Sequence, residues 1–412
     1  MSVLHQPSPS RTRRRRLLAA GAAVVTLAGL AVVAPDASSA APARPNAVSD
    51  PASLVNPLVG TSGAVDTFPG VDAPFGMLQW SPDTSPDRPA GGGYEYNDSQ
   101  ISGFSLSHIS GPGCGVAGDI PMLPYVGDTG STPGDLTVPF SHSNETAKIG
   151  YYSVKTGTGA DAVTTALTGT TRAGLGKFTY PAGTASHLVV KLAGSATTVD
   201  GTSATVIGNK QLIGSVTTGH FCGQGTDEND YTLHFDVQFN QPFTAKAVGT
   251  SKNGGPANEV LTFDTTKAQS VSAKVGISYT SDTNAIANLA DEIPAWDFGG
   301  TRAATTKAWN DVLSKIEIGG GTRTQQAQFY TAMYHSLLHP NVFSDVNGQY
   351  MGMDNKVHTV ADGHAQYANY SGWDIYRSQV QLAAMVAPAQ TSDSITSMLN
   401  DYDQSGMLPK WA

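Results

Sequence analysis

Between residues 150 and 280 apolar and polar positions alternate with a period of two. Tyr231, Leu233, Phe235, Val237 and Phe239 fall on one side of the run, Thr232, His234, Asp236 and Gln238 on the other, and Val271, Ala273, Val275, Ile277 and Tyr279 repeat the rule. Alternation of this kind specifies antiparallel strands with one buried and one wet face, and the Gly, Asn and Asp turns between runs predict a β-sandwich. Near residue 283 the period changes. Trp309, Val312, Leu313 and Ile316 are spaced as one face of a helix, and Phe329, Met333, Tyr334, Leu337 and Leu338 carry the same stripe up to Pro340. Thr322 and Gln325 are placed as a capping box at the start of that second helix. Further helices are predicted over 374–387 and 392–404, the last ending at Gly406. The pattern therefore predicts an α+β chain: a sandwich over 55–282, a helical linker over 283–320, and over 321–412 the opening of a helical array or α/α barrel.

Ahead of the alternating region the chain is punctuated by Asp66-Thr67-Phe68-Pro69-Gly70, Ala73-Pro74-Phe75-Gly76 and Gly91-Gly92-Gly93. Proline and glycine at this density exclude a long helix and specify turns between short strands. Five glycines between 103 and 118 imply that the backbone there comes close to another segment or to a ligand. His108, in this stretch, reads either as a polar residue on the outer face of a strand or as a hydrogen-bonding group at the mouth of the glycine loop.

Only 14% of the 412 residues are charged, while glycine is abundant, which fits a strand-rich and loop-rich exported protein. Arg11 and the arginines at 13–16, an apolar run over 17–33 and the small residues around Ala40 together read as an export signal over 1–40, of the general secretory or twin-arginine type. A signal anchor is the competing reading of that apolar run. The net charge of −9 would become −13 once the five arginines and one aspartate of that segment are removed. An acidic surface argues against nucleic acid as a partner, and cleavage of the signal would leave no stable membrane insertion. Residues 41–54 read as a disordered leader. Cys114 and Cys222 lie 108 residues apart in glycine-rich segments, so export permits a bridge that spacing alone does not establish.

The richest chemistry lies in residues 367–378, which hold three tyrosines, Trp373, Asp374 and Arg377. The CH face of a hexose stacks on an aromatic ring while its vicinal hydroxyls seek a fixed charged acceptor, and Trp373 beside Asp374 supplies both. The competing reading is a helix start with Ser371 or Asp374 as cap and Trp373 in the core. His335 and His339 have metal-ligand spacing, but no general-base glutamate lies between them and His339 abuts a proline. Asp227-Glu228-Asn229-Asp230 reads as a solvated acidic loop before a calcium loop, and Asp345-Val346-Asn347-Gly348 as a tight turn.

These blocks together resemble glycoside hydrolase family 92, the secreted calcium-dependent exo-α-mannosidases. The likeness rests on Asn56-Pro57 with Gly60-Thr61, Thr67-Phe68-Pro69-Gly70, Pro74-Phe75-Gly76-Met77, His108 with Ser110-Gly111 and Gly113-Cys114-Gly115, residues 335–345, and Ser371-Gly372-Trp373-Asp374 with Tyr376-Arg377-Ser378. It implies a β-sandwich, a helical linker and an (α/α)6 barrel, with a site for terminal mannose between sandwich and barrel. By the same resemblance Trp373 and Asp374 contact the sugar, His108, Gly113 and Cys114 form the sandwich's share of the pocket, and Phe68 is a wall. Cys114 would then line the pocket rather than form a bridge. Inverting glycosidases need an acid and a base carboxyl roughly 6.5 to 9.5 Å apart. In the family these groups belong to His-Asn-Glu-Pro-Ser-like and Gly-Asn-Asp-Asp-like segments, neither of which occurs in the sequence. No carboxylate here inherits a catalytic role, and most calcium ligands would fall in the same absent part. The expectation is thus the N-terminal half of a mannosidase acting on extracellular mannose-containing glycans, inactive by itself, with a non-catalytic mannose-binding module as the alternative. An open barrel would expose apolar surface around 329–338 and 380–399 and be poorly soluble.

Overall fold

The computed structural model describes residues 47–410 other than 64–65, 89–90, 184 and 224–229. The expected export signal over 1–40 and residues 227–229 of the acidic loop lie outside the described residues. Fourteen strands among them form the N-terminal region: β1 (Ser81–Ser85), β2 (Gln100–Ser105), β3 (Met122–Val126), β4 (Val138–Lys148), β5 (Tyr151–Thr156), β6 (Val163–Gly169), β7 (Ala173–Thr179), β8 (Ser186–Val190), β9 (Val199–Ile207), β10 (Gln211–Thr218), β11 (Tyr231–Phe239), β12 (Phe243–Thr250), β13 (Pro256–Phe263) and β14 (Ser270–Ser278). They pair antiparallel in the order β12-β13-β8-β3-β2-β4-β5-β6-β7-β14-β11-β10-β9, with β1 on β2. The long β4 turns the corner. Its first residues pair with β2, Val138 opposite Ile101, its last with β5, Lys148 opposite Tyr151, and the register shifts between Phe140 and Glu145. Residues from both sides of that corner, among them Trp80, Phe104, Leu123, Val189, Phe235, Phe263 and Val275, share one core, so the sheet closes nearly into a barrel.

Helix α1 (Asp282–Glu292) begins where the alternation ends, capped by the Ser281 side chain, which accepts from the Asn284 amide. It lies on β14, whose outer face is consequently not wet. Gly276 leaves the space for this contact, since a Cβ there would sit 2.6 Å from that of Leu289, and Asn288 donates to the Ile277 carbonyl at 2.7 Å. Helix α2 (Phe298–Leu313) buries Trp309 and Leu313, the indole donating to the Asp72 carbonyl at 2.8 Å. Helix α3 (Arg323–His335) starts with the capping box of Thr322 and Gln325 that the spacing predicts. Its apolar stripe is covered: Tyr330, Met333, Tyr334, Leu337 and Leu338 pack in a second core with Leu54, Val55, Phe68, Phe75, Trp309 and Leu313.

Two expectations are corrected by that second core. Residues 47–54 are ordered, not a disordered leader: Val48 donates to the Ile318 carbonyl, Ala52 to the Asn310 side chain, and Leu54 is buried. Nor does the stripe at 329–338 expose apolar surface, because this N-terminal segment and the sandwich loops cover it.

Beyond α3, β15 (Asn341–Val342) pairs with the later β18 (Tyr367–Ala368), and between them β16 (Gln349–Met351) pairs with β17 (Val357–Thr359). The turn at 345–348 holds, with Gly348 at φ 79° donating to the Asp345 carbonyl at 2.9 Å. The helix predicted over 374–387 is broken into α4 (Gly372–Ile375) and α5 (Gln379–Val386). Helix α6 (Pro388–Ser405) starts earlier than the stripe suggests, because Pro388 takes its first position, where a missing N–H costs nothing, and it ends at left-handed Gly406. Mixed α/β architecture, a large antiparallel sheet followed by helices, is thus what the chain forms.

Candidate functional site

The glycine-rich segment over 109–115 is laced down at its base. Asp66 accepts from the Gly91 amide at 2.9 Å and the Gly92 amide at 2.6 Å, and its own carbonyl accepts from Gly111 at 2.6 Å. Glycine is required at 92, where a Cβ would come within 2.3 Å of the Asp66 carboxylate. Gly113 is the opposite case: exposed, with nothing within 4 Å of the space a Cβ would fill. The segment is therefore a lip whose base is packed and whose tip is open to solvent.

Beneath the lip lie Phe68 and His108, both fully buried, with ring centroids 5.6 Å apart. His108 shares its parity with Phe104 and Leu106 and is buried with them, not on an outer face. Its Nδ1 lies 2.8 Å from the Gln79 carbonyl, an oxygen that only accepts, so Nδ1 carries a proton. Nε2 faces Asp83 Oδ1 at 3.3 Å. Burial by itself would raise the Asp83 carboxyl; the Arg88 guanidinium, bonded at 2.7 and 3.0 Å, together with His108 and Ser105, outweighs it and holds the group down at about 2. His108 thus orients a buried ion pair, and Phe68 is packing under the lip, not an open wall.

Cys114 is joined to Cys222 in a disulfide, which corrects the expectation that it lines a pocket as a thiol. The Cys222 amide also donates to the Gly115 carbonyl at 3.3 Å, so the two glycine-rich segments, distant in sequence, are one structure.

On the helical side, Trp373 is 61% exposed on α4, with Asp374 exposed next to it. Trp373 is not in the core. The Ser371 hydroxyl donates to the Asp374 carboxylate, the Asp374 amide to the Ser371 carbonyl at 2.9 Å, and the Arg377 guanidinium lies 5.5 Å from the ring centre of exposed Tyr376. A flat indole, a phenol ring, a carboxylate and a guanidinium are thus each exposed between residues 373 and 377, residue types that hold a hexose by ring stacking and charged hydrogen bonds.

His339 connects the two sides. Its Nε2 accepts from the Ser110 amide of the lip at 3.0 Å, Nδ1 is 3.2 Å from Asn341 Oδ1, and its carbonyl accepts from the Gln379 side chain at the start of α5 at 2.5 Å. Since Nε2 accepts, the ring is neutral, in keeping with burial that pushes it down to about 4. Both nitrogens are engaged, so the 335/339 spacing does not make a metal site. Ser110, His339, Gln379, Asp66 and Asp83 carry this architecture without standing out in the sequence. The one signal was the 335/339 pair, which spacing presents as a metal question.

Calcium needs an oxygen-only cage. Among the described residues the one grouping of three ligating side chains is Asp200, His220 and Asp230, whose imidazole does not suit it. Two open hollows of about 600 and 560 Å³ lie on the surface, one lined by Ile207, Lys210, Gln238 and Trp296, the other by Arg302, Thr306 and Asn310; neither contains a residue of the lip or of α4.

Comparison with known proteins adds to this geometry. The family models described as the glycosyl hydrolase family 92 N-terminal domain and catalytic domain match residues 54–278 and 284–412. An uncharacterized secreted glycosidase of Arthroderma benhamiae is 26% identical over 327 residues, covering 71% of this chain and 42% of that protein. A family GH92 α-mannosidase of Bacteroides thetaiotaomicron superposes with a TM-score of 0.79 at 28% identity, over 88% of this chain and 51% of that one, and its complex with mannoimidazole superposes with 0.78. An inverting family GH92 mannosidase from the same organism gives 0.76 at 26% identity, over 88% of this chain and 50% of that one. The chain spans about half the length of these structures and 42% of the curated relative. With family models matched along nearly the whole described length, the chain belongs to glycosyl hydrolase family 92.

Proposed function

We propose that this chain supplies the sugar-holding part of an exported exo-acting α-mannosidase that removes terminal α-linked mannose from glycans by inversion. The observation that carries the reading is Trp373, an indole left 61% exposed beside Asp374 on α4, shortly before Gln379, whose side chain bonds His339 and through it the glycine lip. The mannose ring stacks on Trp373, adjacent hydroxyls donate to the Asp374 carboxylate, and the open tip at Gly113 offers backbone groups to the opposite edge of the sugar. Two relatives of this fold are mannosidases and one of them is solved with mannoimidazole, which supports a mannose-like ligand for this site.

Bond cleavage requires a protonated carboxyl to release the leaving oxygen and a carboxylate to activate water. Asp374 is assigned neither part; it binds. Calcium enters this proposal as the cofactor that the family resemblance implies.

Incubation with α-1,2-mannobiose, with and without a chelator, tests cleavage, while titration with mannose followed by calorimetry tests holding. Trp373→Ala and Asp374→Asn should each weaken mannose binding at least about tenfold, in line with about 1.4 kcal/mol per decade. Unchanged binding in both variants would overturn the site.

A further inference from the structure

Strands β9, β10 and β11 are neighbours at one edge of the sheet, and Thr218 lies opposite both Val199 and Tyr231. Asp200, His220 and Asp230 are the residues just beside those positions, so one end of three adjacent strands brings an aspartate, a histidine and an aspartate together. A register shift between Thr217 and Thr218 sets Asp200 across from the chain that continues into His220. One ligand atom from each side chain lies within 4.8 Å of the others. His220 Nε2 is 2.5 Å from Asp200 Oδ2 and 3.7 Å from Asp230 Oδ1, and each side chain is 17 to 18% exposed, which leaves an approach from solvent.

We propose that Asp200, His220 and Asp230 form a site for a zinc-class divalent cation that clamps the lip of the sugar site through the Cys222–Cys114 bridge. One imidazole and two carboxylates match the nitrogen and oxygen ligands that such ions take at about 2.0 to 2.2 Å, while calcium and magnesium prefer oxygen alone. The ion takes the place of the hydrogen bond between His220 Nε2 and Asp200 Oδ2, and the proton of that bond leaves to solvent. Lys252 bonds the other Asp200 oxygen, Oδ1, so its ammonium can stay while Oδ2 turns to the metal. Two residues after His220, Cys222 is covalently joined to Cys114 and hydrogen bonded to Gly115, so fixing the imidazole also fixes the lip. This site is independent of whether mannose binds at Trp373.

The test uses the full chain, stripped with a chelator and dialysed, then titrated with zinc by calorimetry, with bound metal counted by mass spectrometry. Expected are one zinc per chain, at least tenfold weaker binding in His220→Ala and Asp230→Asn, and no competition from millimolar calcium. Lys252→Ala, a change at an exposed side chain, should bind zinc several-fold more tightly because a repelling charge is gone. Cobalt substitution should give an absorption band that is lost in His220→Ala. Zinc should slow hydrogen exchange over residues 109–118 several-fold in the bridged protein and not in Cys222→Ser. No stoichiometric zinc, or the same affinity in His220→Ala, or no gain in Lys252→Ala, would overturn the metal site; zinc binding that leaves lip exchange unchanged would overturn the clamp. Mannose titration is read separately, so failure here and failure of the sugar site are distinguishable.

Discussion

His339 ties the lip to the helices only while its ring is neutral, because Nε2 accepts the Ser110 amide. In the folded chain burial pushes it down to about 4, whereas an unfolded histidine titrates near 6.5. Between those values the unfolded chain takes up a proton that the folded chain refuses, so stability falls as pH drops from about 6.5 toward 4. Replacing His339 with Gln keeps an acceptor for Ser110 and removes the titration. The stability lost between pH 7 and pH 5 in denaturant unfolding should shrink by roughly 1 to 2 kcal/mol relative to the parent. His335, pushed likewise to about 4 by burial, leaves a residual slope; an unchanged slope in His339→Gln would refute the assignment. Trp373 and Asp374 were legible in the sequence because an aromatic ring beside an acid announces itself in the local string. His339 was not, since its partner Ser110 lies 229 residues away. His108 was misread for a related reason: a buried histidine is satisfied by Gln79, just before β1, and by Asp83 in β1, and no local pattern names them.

One buried carboxylate gathers several of the bonds that join sandwich and helices. Asp345 Oδ2 accepts from Ser278 at 2.9 Å, from Asn284 at 2.8 Å and from Thr280, and Oδ1 accepts from Asn288 at 2.7 Å. The end of β14, helix α1 and the turn before β16 are thereby fastened to one side chain that is 2% exposed. Asp345→Asn would set an NH2 group against the amide and hydroxyl donors that now converge on the carboxylate, and an unsatisfied buried donor costs about 1 to 3 kcal/mol. Urea unfolding should show a loss of about 2 to 4 kcal/mol, since hydrogen bonds to a charged acceptor are the strong ones. A loss under about 0.5 kcal/mol would mean that the join is held elsewhere. The elements themselves were readable: strict alternation gave β11 and β14, and the capping box marked the start of α3. Where they pack was not. Alternation cannot tell a wet outer face from one covered by a helix, which is why β14 is buried on both faces, and it says nothing of the leader segment that lies across the α3 stripe.

Among the described residues, several exposed apolar side chains fall on the last helices. Ile395, Leu399 and Tyr402 follow one another at helical spacing on α6 and are 49, 54 and 50% exposed, with Met385 on α5 and Met407 and Leu408 beyond α6 at 62 to 74%. Side chains at i, i+4 and i+7 share one face, so these form a patch and not scattered exceptions, and a contiguous apolar patch on a soluble chain drives association. The net charge of −9 opposes it. Salt screens that repulsion and leaves the apolar attraction intact, so self-association should strengthen as salt rises, the reverse of an assembly held by ion pairs. Replacing Ile395 and Leu399 with Lys should reduce association, measured by sedimentation and light scattering at matched concentration. Melting should move by no more than a few degrees, because side chains half in water contribute little to the fold. The same substitution at Met333, inside the second core, should instead unfold the chain. A parent that stays monomeric at high salt, or a double variant that associates as before, would show that this face is not the sticky one.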